Sequence, residues 1–109
     1  MMQHKELAAG RWEMMPFLEQ MAAIGSEVER ALSWEKKCNH DYSQKAFERA
    51  LELIDLSLDS AKGLARLKEL ARVREAMVDF FAGENQFKSS EGSWRSYFNS
   101  FTYAVRRGY

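Results

Sequence analysis

A chain of 109 residues, 46% of them hydrophobic, has room for one core and is too apolar to stay unfolded, so a single domain spanning residues 1–109 is expected. One proline and six glycines leave few turn formers, which excludes an all-β sandwich or barrel. Sixteen basic residues cancel sixteen acidic ones, which excludes binding of nucleic acid or of an anionic membrane through bulk charge.

The N-terminal stretch Met1-Met2-Gln3-His4-Lys5-Glu6 lacks the basic-then-apolar order of a signal peptide, and a short segment over 3–10 is expected to end at Gly10. Between 14 and 37, Met14, Phe17, Met21, Ile24, Val28 and Ala31 recur at alternating spacings of three and four, which predicts a helix with one buried stripe. Pro16 suits its first turn. A second helix is expected over 43–60, capped by Asp41 or Ser43, with Phe47, Ala50, Leu51, Ile54 and Leu58 inward and Lys45, Glu48, Glu52, Asp55 and Asp59 outward. Gly63 suits a left-handed position closing it. The third helix, 64–82, places Leu64, Leu67, Leu70, Ala71, Met77, Val78 and Phe81 on one side. A serine-rich stretch from Ser89 to Ser93 offers caps for the fourth, 93–106, whose inner arc is Trp94, Tyr97, Phe98, Phe101, Ala104 and Val105. One apolar stripe on each helix and short connections together predict an all-α, antiparallel four-helix bundle.

Apolar runs stop at three or four residues, too short to span a membrane, and the single cysteine, Cys38, fits a reducing compartment. A cytoplasmic protein with no membrane partner is expected. Arg74 falls near the centre of the third helix's apolar arc, where a guanidinium needs a partner, and Glu27 at the edge of the first stripe is the expected one. A less favoured reading makes Arg74, with Arg72 or Arg66, an anion site. Trp12, Trp34 and Leu56 lack an obvious place in a single bundle and are the candidate interface. Lys62, Arg66, Lys68 and Arg72, joined by Arg95, Arg106 and Arg107, form a candidate basic face, with Tyr103 and Tyr109 available for stacking.

The sequence holds no Glu-x-x-His, no glycine-rich phosphate loop and no nucleophile elbow, and Cys38-x-His40 alone cannot hold zinc. No catalytic residue, cofactor or metal is expected. The stretches Leu7–Trp12, Ile24–Ala31 and Arg49–Leu56, with Tyr97-Phe98, resemble small uncharacterised prokaryotic four-helix-bundle proteins. Size and helix order are distantly similar to HEPN-type bundles, which partner nucleotidyltransferases or cleave RNA. Nine residues intervene between Arg30 and His40, where the HEPN ribonuclease motif has four to six, so only the scaffold is implied. The expected function is therefore association with protein, as a homo-oligomer or with another chain. The alternative is a nucleic-acid-associated bundle using the basic faces of the third and fourth helices, as a HEPN-like nucleotidyltransferase partner or a small ribonucleoprotein subunit would.

Overall fold

The computed structural model describes Gly10 and residues 12–108. These residues form α1 (Phe17–Lys36), α2 (His40–Ser60), α3 (Leu64–Ala82) and α4 (Glu91–Arg106), preceded by helical residues at 12–14, with no strand among them. The expected segment 3–10 lies, Gly10 apart, outside the described residues.

Three helix starts differ from expectation, each for a local reason. α1 begins at Phe17 because Pro16, with φ −57° and ψ 148°, is extended and joins the helix only through its carbonyl, which accepts from Gln20 N. Neither Asp41 nor Ser43 caps α2: Asn39 does, its side chain accepting from Tyr42 N at 3.1 Å. Ser43 lies inside the helix instead, donating across to the Ala31 carbonyl of α1 at 2.8 Å. α4 starts at Glu91, where Ser90 and Ser93 cap each other's backbone N–H groups reciprocally. Gly63 does take a positive φ, 96°, but its role is to lead into α3, while Ala61 closes α2.

α1 is the organising helix, packing closely on both α2 and α4, whereas α3 packs closely on α2 alone. Its stripe of Met21, Ile24, Val28 and Ala31 is buried against Ala46, Phe47, Ala50, Leu53 and Ile54 of α2 and Trp94 and Phe98 of α4. Small residues set the spacings: a Cβ at Gly25 would stand 2.8 Å from Phe98 Cβ. Glu27 is buried in this layer, with Arg49 Nε at 3.2 Å and Arg30 Nη1 at 3.2 Å.

Three expectations about side-chain placement are corrected. Trp12 is core, not interface: it is 6% exposed, and its Nε1 donates to the fully buried Ser57 Oγ at 2.9 Å. The bond fixes the indole on the turn of α2 around Ser57. Leu56 is half-buried and packs against the core, while Trp34, also half-buried, lies outside that cluster. The Arg74–Glu27 pair does not form. Arg74 Nε donates to Asp55 Oδ1 of α2 at 2.8 Å, with about two-fifths of each side chain exposed.

The cause of the third correction is the rotation of α3. Its buried residues are Leu70, Val73 and Met77, so the inward face is turned about a quarter turn from the predicted arc. Leu64, Leu67 and Val78, expected inside, are exposed, and Arg74 sits at the seam with α2 where a carboxylate is in reach. α3 thus carries two apolar stripes, and a wheel drawn from sequence averages them into one.

Candidate functional site

The residues of the candidate basic face do not act as one group. Arg95 is committed to acids, donating from Nε to Glu29 Oε1 at 2.8 Å and from Nη1 to Glu91 Oε1 at 3.0 Å. That partner holds the Glu29 carboxyl below the usual carboxylate range. Arg66 stacks over the Phe17 ring at 4.9 Å, beside Lys62 at the start of α3, and Arg107 lies over Tyr103 at the end of α4. Arg106 is exposed at the same end. Lys68 and Arg72, one turn apart on α3, project along the edge of a cleft.

This cleft exists because the backbones of α3 and α4 do not approach closely. Bulky aromatics hold them apart: Trp94 meets Phe80 at 6.2 Å between ring centroids and stacks on Phe98 at 6.0 Å. The space left is open and measures about 550 Å³. Val73, Ala76, Trp94 and Tyr97 line it with apolar surface, while Lys68, Glu69, Arg72, Ser89 and Ser93 bring polar groups. Pockets of this size and character are where small molecules bind.

Two polar features belong to the residues that line it. Tyr97 of α4 donates its hydroxyl across to Glu69 Oε2 of α3 at 2.6 Å, a short charge-assisted bond that ties the two helices. Burial, then the bond to the Glu69 carboxylate, pushes the Tyr97 phenol far above its ordinary value. The second is Trp94 Nε1, which among the described residues is the one buried side-chain polar atom without a hydrogen-bond partner.

The Tyr97 shift makes a pH prediction. A folded-state value raised above the unfolded one leaves stability intact below about pH 10 and removes it as pH rises further, because the unfolded chain releases a proton that the fold retains. Alkaline unfolding of the wild type is therefore expected to release one tyrosinate absorbance step together with loss of helicity. Tyr97→Phe should lack that step and lose stability less steeply above pH 10. A Tyr97→Phe curve parallel to the wild type would contradict the assignment.

A second surface lies on the outer side of α3. Leu64 is 66% exposed, and with Leu67, Ala71 and Val78 it follows spacings of three, four and seven, so all four share one stripe. The Asp55–Arg74 pair borders this stripe on the α2 side, with Glu48 and Asp59 further out on α2 and Lys68 on its far side. Elsewhere, Trp34 meets Tyr42 edge-on at 4.8 Å beneath Lys37, and His40 Nδ1 lies 2.8 Å from Glu35 Oε1, next to the exposed Cys38.

The cleft escapes sequence reasoning because Trp94 and Tyr97 read as core aromatics, which they partly are. What signals it is the surplus of rings on α4 relative to the three residues that α3 buries. No family model, no curated protein and no solved structure matches the chain.

Proposed function

We propose that the protein is a non-catalytic antiparallel four-helix bundle that works in the cytoplasm by protein–protein association, and that its first partner is a second copy of itself. The observation that carries this reading is the exposed stripe Leu64, Leu67, Ala71 and Val78 on α3. Apolar side chains at helical spacing on a solvent face gain on the order of 25 cal/mol for each Å² covered, so a contact that buries them is favourable. The stripe's flanks differ in charge. Glu48 and Asp59 lie on one side and Lys68 on the other, so two copies related by a twofold axis parallel to α3 would set acid against base while covering the leucines.

The test is the mass in solution. Light scattering from micromolar to near-millimolar concentration is expected to show a dimer that weakens with salt. Leu64→Glu combined with Leu67→Glu should give a monomer with unchanged helicity, since both residues lie outside the core. A strict monomer for the wild type over that range would sink the reading.

A further inference from the structure

We propose that the α3–α4 cleft is a binding site for a small amphipathic carboxylate, its chain lying on Val73, Ala76 and Trp94 and its carboxylate held by Lys68 and Arg72. This site goes beyond the self-association proposed above, whose leucine stripe lies on another face of α3 and borders the cleft at Lys68.

Size argues for a small molecule over a partner helix. A helix about 10 Å across needs on the order of 400 Å³ for each turn of 5.4 Å, so the 550 Å³ of the cleft would seat little more than one turn. The Tyr97–Glu69 bond, running from one wall to the other, would also block a continuous helix. A flexible chain with one polar end has neither problem.

Charge selects the polar end. Lys68 and Arg72 lie at i and i+4 on one rim, and among the described residues neither forms an ion pair. Glu69 is the opposing charge in the cleft, and Tyr97 occupies one of its oxygens, which places the ligand's carboxylate on the Lys68–Arg72 side. Arg72 supplies a planar fork that can take a carboxylate with two hydrogen bonds.

Sodium decanoate is the probe and 1-decanol its uncharged comparator, both followed by calorimetry and by the Trp94 indole N–H signal, assigned with Trp94→Phe. Decanoate is expected to saturate with the Trp94 signal shifting, and to bind at least tenfold tighter than decanol. Lys68→Gln with Arg72→Gln should reduce decanoate to the level of decanol while leaving the melting temperature unchanged. Ala76→Trp, which fills the cleft, should abolish both. Decanoate bound no tighter than decanol, or binding indifferent to the Lys68/Arg72 change, overturns the proposal. So does saturable binding of an acidic amphipathic helical peptide in place of decanoate, which would assign the cleft to a protein partner. The double substitution Leu64→Gln/Leu67→Gln, which removes the apolar stripe without adding charge beside Lys68, should weaken self-association and leave decanoate binding intact, so the two proposals can fail separately.

Discussion

Replacing Trp12 by alanine is expected to lower stability by about 3–5 kcal/mol, the usual cost of truncating a buried large aromatic. The indole is 6% exposed and its Nε1 donates to Ser57 Oγ, itself fully buried. Ser57 keeps one bond after the change, because its hydroxyl also donates to the Leu53 carbonyl at 2.9 Å, so the dominant loss is the cavity. Against a total stability of about 5–15 kcal/mol, the melting temperature should fall by at least ~10 °C. Trp12→Phe separates packing from hydrogen bonding: it retains most of the ring surface and should cost only about 1–2 kcal/mol. Thermal melts by circular dichroism decide the matter. An interface tryptophan would show the opposite pattern, with the melt of the dilute protein changed by under ~0.5 kcal/mol and association altered.

Gly25→Ala is expected to cost about 2 kcal/mol net, although alanine is the better helix former. The intrinsic gain is about 1 kcal/mol. Opposing it, the new methyl would stand 2.8 Å from Phe98 Cβ and Cγ and 2.9 Å from Cδ1. These atoms lie near the α4 backbone, so relief requires the whole helix to move and not a terminal atom to swing. Overpacking of that kind costs about 1–3 kcal/mol, and the close atoms place this case at the upper end. A larger residue such as leucine should prevent α4 from seating. The control is a double-mutant cycle with Phe98→Ala: losing the ring removes the Cγ and Cδ1 contacts and leaves the Cβ one, so the two losses should fall short of adding by about 1 kcal/mol. Strict additivity would mean that the Gly25–Phe98 contact is not what limits the spacing of α1 and α4.

Both predictions concern positions that the sequence marks in different ways. Gly25 interrupts a regular apolar stripe, and a glycine kept inside a helical pattern is a sign of close approach, so its role is readable in principle. Trp12 is not readable in that way. It stands outside the periodic part of α1, where no wheel assigns a face, and only the path of the chain ahead of Pro16 carries it onto Ser57.

The helices themselves were legible because amphipathic spacing, cap residues and breakers act within a few positions along the chain. The ends of α3 agree with expectation, and the other starts shift by two or three residues, for α2 and α4 because one side chain of several took the cap and for α1 because Pro16 stays extended. The inner faces of α1 and α4 were legible too, since each has one stripe, except that Met14, expected in the first of them, lies ahead of Pro16 and is 86% exposed. α3 was legible only in part: Leu70 and Met77 are buried as expected, but Leu64, Leu67, Ala71 and Val78 are exposed and Val73 is buried in their place, because periodicity alone does not rank the two stripes.

What composition and pattern determined is therefore the all-α class, the single core and the identity of most buried residues, all of which follow from local hydrophobic spacing. Which stripe of α3 turns inward, the pairing of Arg74 with Asp55 and of Glu27 with Arg49, and the opening between α3 and α4 were decided by tertiary packing. The reason is steric. Gly25 lets α4 close onto α1, while Trp94 and Phe80 hold α4 away from α3, and those distances depend on side chains far apart in sequence meeting in space.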